Sequence, residues 1–104
     1  DPAFVEAARV FAARLLGEAA SDDKARMSAA FQIALNRDPK EKEITALTAF
    51  LTNQRNHYTA AKEDAEKLLA VGLAPKAGID PAEHAAWTQV ARVLLNAQET
   101  ITRY

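Results

Sequence analysis

The chain has 104 residues, which suits one domain with a single core, and 49% of them are hydrophobic. Its 13 basic and 14 acidic residues leave a net charge of −1, so no basic surface for nucleic acid is expected. Cysteine is absent, which excludes disulfides, thiolate metal sites and thioether haem attachment. No apolar run approaches the roughly 20 residues of a membrane span, so we expect no membrane insertion.

The first predicted helix begins at Asp1-Pro2, because aspartate caps helices and proline suits the first helical position. Gly17 is close to its expected end. Glu6, Arg9 and Arg14 take the polar side. The apolar arc is wider than one neighbouring helix need cover; its members are Phe4, Val5, Ala8, Phe11, Ala12, Leu15 and Leu16.

A second helix is predicted after Ser21-Asp22-Asp23, which supplies cap candidates and negative charge for a helix N-terminus. We expect it to end at Asn36, since asparagine tolerates the left-handed conformation common at helix C-termini. Its apolar stripe consists of Met27, Ala30, Phe31, Ala34 and Leu35.

A third helix is predicted from Asp38-Pro39-Lys40-Glu41, with Asp38 as cap, Pro39 at the first position and Glu41 at the third. Its apolar seam would be Ile44, Leu47, Leu51, Gln54 and Tyr58. Residues 60–71 are again helical in composition, up to Gly72. The sequence leaves open whether these two segments form one rod.

The last predicted helix runs over residues 80–103 and is the most apolar, so we expect it at the centre of the fold. Asp80 can cap it, Pro81 suits the first position, and Glu83 can reach back to the Asp80 N–H. Trp87 shares its most apolar arc and should be buried. Residues 72–79, with two glycines and a proline, should form a connector on the surface. The fold class predicted is all-α, a compact bundle of four or five helices making one domain over residues 1–104.

Residues suited to chemistry are few. His57 and His84 are 27 positions apart, and neither belongs to a His-x-x-x-His or Glu-x-x-His pattern. We predict that His84 is a partly buried histidine sharing a hydrogen bond, and that His57 lies on the surface. No metal, cofactor or catalytic residue is therefore predicted.

Four further polar residues are candidates for a structural or functional role, because they lie at helix ends or on the polar side of the last helix. Arg37 follows the end of the second helix and is expected to bridge a helix-end carbonyl to a carboxylate such as Glu41. The other three, for which backbone contacts near a helix end are the simplest role, are Asn96, Glu99 and Arg103.

Three segments of the chain carry a family resemblance. In chain order they are Phe4-Val5 with Ala8-Arg9 and Ala13-Arg14, then residues 31–35 with Arg37 and Pro39, and finally residues 86–88, 90–96, 99 and 101–103. In this order they resemble the C-terminal end of the planctomycete-specific PSD-one family, a domain of unknown function. Asn36 stands where such sequences often have glycine. The resemblance implies a segment of a larger exported bacterial protein with an upstream cytochrome-c-like domain, located outside the cytoplasm.

Three functions remain open from the sequence. The first is a helical structural or protein-interaction module, with upstream domains of the same protein or a weak homodimer as partners. Its expected interface is Phe4, Val5 and Phe11. The second is part of an enzyme, possibly related to polysaccharides, with Arg37, His84 or Glu99 converging on a site completed upstream. The third is small-ligand binding in a pocket lined by Trp87 or Tyr58.

Overall fold

A computed structural model describes residues 1–17, 22–72 and 78–102, with side chains up to residue 98. Within these ranges the secondary structure is five helices and no strands: α1 (Pro2–Gly17), α2 (Asp23–Leu35), α3 (Glu41–Ala60), α4 (Lys62–Leu69) and α5 (Pro81–Thr102). The predicted all-α class is confirmed, as is the predicted position of α5, which contacts each of the other four helices. The fold is compact, with a Cα radius of gyration of 13.0 Å, as expected for about 100 residues.

The helix starts at Asp1, Asp22 and Asp80 follow from side-chain capping. The Ala3 N–H donates to Asp1 Oδ1 at 3.1 Å, and the Ala25 N–H donates to Asp22 Oδ1 at 2.7 Å. The Glu83 N–H donates to Asp80 Oδ2 at 3.1 Å. Each bond satisfies one of the backbone donors that a helix N-terminus leaves free.

The predicted start of α3 is wrong by two residues. The helix begins at Glu41 with Lys40 in the cap position, so Asp38 and Pro39 belong to the preceding turn. Glu43 reaches back instead of Glu41, accepting the Lys40 N–H at 2.8 Å. The connection before it contains Asn36, which adopts the predicted left-handed conformation with φ of 56° and donates its N–H to the Gln32 carbonyl.

Helices α3 and α4 are separate, because the chain turns at Ala61 (φ −120°, ψ 70°). Of the predicted connector over residues 72–79, residues 73–77 lie outside the described residues. Ile79 is partly buried.

The core forms where α5 meets its neighbours, and its largest fully buried side chain is Trp87, with none of its surface exposed. Small residues of both α1 and α5 belong to the same core: Ala8, Ala12, Ala85, Ala86 and Ala91 are all buried. Alanines let two helix backbones approach closely, so α1 lies directly against α5. The outer face of α1 is then left pointing away from the core.

Candidate functional site

An open groove of about 520 Å³ lies between α1, α2 and the C-terminal half of α5. We call it the α1–α2–α5 groove. Its polar rim holds Glu6, Arg14 and Gln98. Its wall is mainly apolar and includes Ala3, Ala7, Val10, Ile33, Ala34 and Leu95.

Two exposed large hydrophobic side chains line the groove. Three large hydrophobic side chains are exposed among the described residues: Val10 (51%), Ile33 (39%) and Val93 (41%). Val10 and Ile33 line the groove, whereas Val93 is not part of its lining. Single exposed apolar residues are ordinary, but a concave patch of them is a typical interaction surface.

The groove only partly coincides with the interface expected from the sequence. Phe11 lines it but is 9% exposed and belongs mainly to the core. Phe4 and Val5 are half-buried and are not part of the lining. The exposed side of α1 therefore centres on Val10, a residue that the sequence analysis did not select.

Arg37 connects the end of α2 to the start of α3. Its guanidinium donates two parallel hydrogen bonds of 2.8 Å to the Glu43 carboxylate and one of 3.1 Å to the Asp38 carbonyl. The kind of contact matches the sequence prediction, but the carboxylate is Glu43 rather than Glu41. The bonds that the Glu43 carboxylate accepts from Arg37 and from the Lys40 N–H lower the pKa of Glu43 to about 2, since each favours the ionised form. The guanidinium also lies 5.5 Å above the Phe31 ring.

His84 is buried to 2% exposure, deeper than the margin position expected for it. Its Nε2 lies 2.9 Å from the backbone carbonyl of Arg9, which can only accept, so Nε2 carries the hydrogen. Burial lowers the pKa of His84; the bond to the carbonyl partly opposes this, and the charge of Arg9 adds to the lowering. The neutral imidazole therefore holds α5 against α1.

Arg9 is itself buried, with 2% of its surface exposed, although its sequence position indicated the polar side of α1. Its Nε donates to the Val71 carbonyl at 3.1 Å, which ties α1 to the segment that follows α4. The sequence offers no signal for this contact, because the two residues are 62 positions apart.

The contacts of Arg55 are a further set that the sequence does not indicate. Arg55 of α3 pairs with Asp23 at the start of α2, through two bonds of 2.7 Å, and with Glu83 in the first turn of α5. The hydrogen bonds to Arg55 hold the pKa of Asp23 below its usual value, and the two carboxylates raise the pKa of Arg55. Glu83 therefore accepts hydrogen bonds from Arg55, in addition to the bond that its backbone N–H donates to Asp80.

Three residues were candidates for an enzyme site, and the two whose side chains are described do not come together. Arg37 pairs with Glu43 at the α2–α3 turn, while His84 is buried between α5 and α1. Asn96 is exposed on α5. The side chain of Glu99 and the whole of Arg103 lie outside the described residues.

Among the residues that the structure describes, no three His, Asp or Glu side chains lie together as possible metal ligands. Trp87 is fully buried and Tyr58 is 6% exposed, with its hydroxyl accepting a 2.7 Å bond from the Gln89 amide. Neither lines the groove. The described helices include none with the length and apolar character needed to cross a bilayer.

Comparisons with known proteins give no assignment: no family model, no curated protein and no solved structure matches the chain. The resemblance to the PSD-one family therefore stays a prediction. The geometry of the molecule alone has to carry any functional argument.

Proposed function

We propose that this chain is a helical protein-interaction module, without catalytic activity of its own, which joins copies of the protein it belongs to through the α1–α2–α5 groove. The observation that carries the proposal is the location of exposed apolar surface: two of the three exposed large hydrophobic residues among the described ones line this groove. Burying them against a second copy would be favourable, at about 25 cal/mol per Å² of apolar surface.

The contacts of three polar side chains support the same proposal. Arg37, Arg55 and His84 each join two or more helices of the bundle. Such contacts fix the arrangement of α1, α2 and α5 and so give the groove a defined shape. By resemblance, the module would lie in a larger exported bacterial protein; upstream domains of that protein are the competing occupants of the groove.

Sedimentation equilibrium over a range of concentrations tests this function. Wild type should show a weak monomer–dimer equilibrium, because a contact formed mainly by one groove is smaller than a standard interface. Val10→Asp should abolish the dimer, whereas Val93→Asp, which charges a similarly exposed valine outside the groove, should not. A wild type that stays monomeric at all concentrations, or an equal loss in both variants, would overturn the proposal.

A further inference from the structure

The break between α3 and α4 lies in a segment whose sequence favours helix. Residues 59–64 contain no glycine or proline, and they include two alanines, the best helix former. The chain nevertheless turns at Ala61, which occupies the N-cap position of α4 with φ −120° and ψ 70°. Alanine is among the poorest cap residues, because its side chain cannot accept a hydrogen bond from the first turn. The local sequence therefore does not explain the break.

Contacts with α5 and α1 explain it instead. On α4, Ala65 is fully buried and Leu69 is 5% exposed, and the helix packs on α5. Just beyond the end of α4, the Val71 carbonyl accepts a 3.1 Å bond from Arg9 of α1, and Gly72 lies close against the same helix. These contacts keep α4 out of line with α3.

The side chains of His57 and Asp64 meet across the turn, with 3.2 Å between Nε2 and Oδ2. A continuous helix would place these two residues about 10.5 Å apart along its axis, too far for this contact. Both side chains are about half exposed, so the pair adds little to the stability of the bend. A continuous helix would gain bonds from the N–H groups of residues 62–64 to the carbonyls of residues 58–60. The bend therefore depends on the packing of α4 rather than on the turn itself.

We infer that α4 is a movable arm with Ala61 as its hinge: when α4 leaves α5, Ala61 becomes helical, and α3 and α4 join into one helix over residues 41–69. A helix of eight residues is too short to be stable alone in water, so a released α4 either unfolds or continues α3. The helix-forming residues of the turn favour the second outcome. This inference concerns a single chain and does not depend on the α1–α2–α5 groove.

The chain after α4 is long enough for this movement. Eleven Cα–Cα steps separate Leu69 from Asp80, and an extended chain of that length spans about 36 Å, three times the 12 Å length of α4. The centre of the bundle can therefore stay in place while α4 moves. The straight form would expose Ala65, Leu69 and the side of α5 that they cover. Because this burial is lost, the straight form is a minor state, with a surface that the bent form does not present.

Relaxation dispersion of ¹³Cα signals tests the inference, because it detects minor states that exchange in microseconds to milliseconds and reports their chemical shifts. In the minor state the shift of Ala61 should move to a helical value, while those of Ala65 and Leu69 stay helical. Local unfolding of α4 would instead move Ala65 and Leu69 toward coil values, which would overturn the inference. The exchange should be the same after tenfold dilution, which separates it from any association of two copies.

Two variants should change the minor state in opposite directions. Leu69→Ala weakens the packing of α4 but keeps a good helix former, so it should raise the population of the straight form about tenfold or more. Lys62→Pro should lower it about a hundredfold, because proline suits the first position of α4 but would break a continuous helix at the same residue. Lys62→Ala is the matched control and should leave the exchange at Ala61 in place.

The result expected is therefore exchange of Ala61 toward helix that grows in Leu69→Ala and disappears in Lys62→Pro. Circular dichroism of each variant checks that it is folded. Absence of exchange at Ala61 even in a folded Leu69→Ala variant, or equal exchange in Lys62→Pro and Lys62→Ala, would overturn the inference. Neither result bears on the proposed function, which is tested by Val10→Asp and sedimentation.

Discussion

The imidazole of His84 lies 2.9 Å from the backbone carbonyl of Arg9, so a buried histidine on the last helix is bonded to the main chain of the first. The contact sits beneath the same segment of α1 whose outer side carries Val10. The bond between His84 and Arg9 therefore helps to hold α1, and with it the groove, in position.

Acid should weaken this contact. Burial lowers the pKa of His84 in the folded protein below the value of about 6.5 that it has in the unfolded chain. Its contribution to the free energy of unfolding is therefore complete above about pH 6.5 and is lost as the pH falls from there through the folded-state pKa. Urea denaturation at pH 7.5 and pH 5 should show a lower midpoint at pH 5.

His84→Gln provides the control for that experiment, because a glutamine amide can donate to the Arg9 carbonyl and does not titrate. The loss between pH 7.5 and pH 5 should be smaller in this variant than in the wild-type protein. The same loss in His84→Gln as in wild type would assign the pH dependence to other groups.

Arg55 should contribute more to stability than Arg37. Arg55→Met removes the partner of both Asp23 and Glu83 and should lower the free energy of unfolding by about 1–2 kcal/mol. This is less than the 3–5 kcal/mol for a fully buried pair, because the two carboxylate side chains keep 36% and 28% of their exposure and can be hydrated. Arg37→Met should cost less, because it breaks a single, more exposed pair. Chemical denaturation compares them, and an equal or larger effect of Arg37→Met would contradict the assignment.

Gly72 should not tolerate a side chain. Its φ is +89°, and an added Cβ would lie 2.5 Å from the Cβ of Glu6. Gly72→Ala should destabilise the protein by about 1–3 kcal/mol, through backbone strain and displacement of Glu6. Gly78→Ala is the matched control, since nothing lies within 4 Å of its added Cβ, and it should be close to neutral. Equal melting temperatures for the two variants would show that the Gly72 contact is absent.

Trp87 should emit as a buried tryptophan, with a maximum well below that of the unfolded protein, because none of its surface is exposed. Its Nε1–H has no hydrogen-bond partner among the residues that the structure describes. Trp87→Ala should cost about 3–5 kcal/mol, a large part of the stability of a small domain. Trp87→Phe should cost clearly less, since it keeps a ring in the site and removes the unpaired donor. Solvent-like emission from the native protein would contradict the burial.

The helices could be predicted from the sequence because their signals are local. Asp1-Pro2 and Asp80-Pro81 each start a helix as expected, and Asn36 ends one. The same signal failed at Asp38-Pro39, because Arg37 holds Glu43 where it caps the Lys40 N–H, and this sets the start of α3 two residues later. A cap motif alone does not show which acidic residue a nearby arginine will fix.

The surface was harder to predict because it depends on contacts between distant segments. Arg9 is buried since it meets the Val71 carbonyl, and Arg55 reaches partners 28 and 32 positions away. Val10 is one of many apolar residues in α1. The sequence of α1 alone does not show which of these residues the neighbouring helices leave exposed. Only the placement of α2 and α5 beside α1 reveals that Val10 and Ile33 share one groove.

The central claim is that the α1–α2–α5 groove is where two copies meet. A dilution series of ¹H–¹⁵N spectra of the wild-type protein tests it most directly, up to about 1 mM, where even an association worth only about 4 kcal/mol is half populated. We expect the concentration-dependent amide shifts to cluster around Ala7, Val10, Ile33 and Leu95. Spectra that do not change with concentration, or shifts concentrated on α3 and α4, would contradict the account.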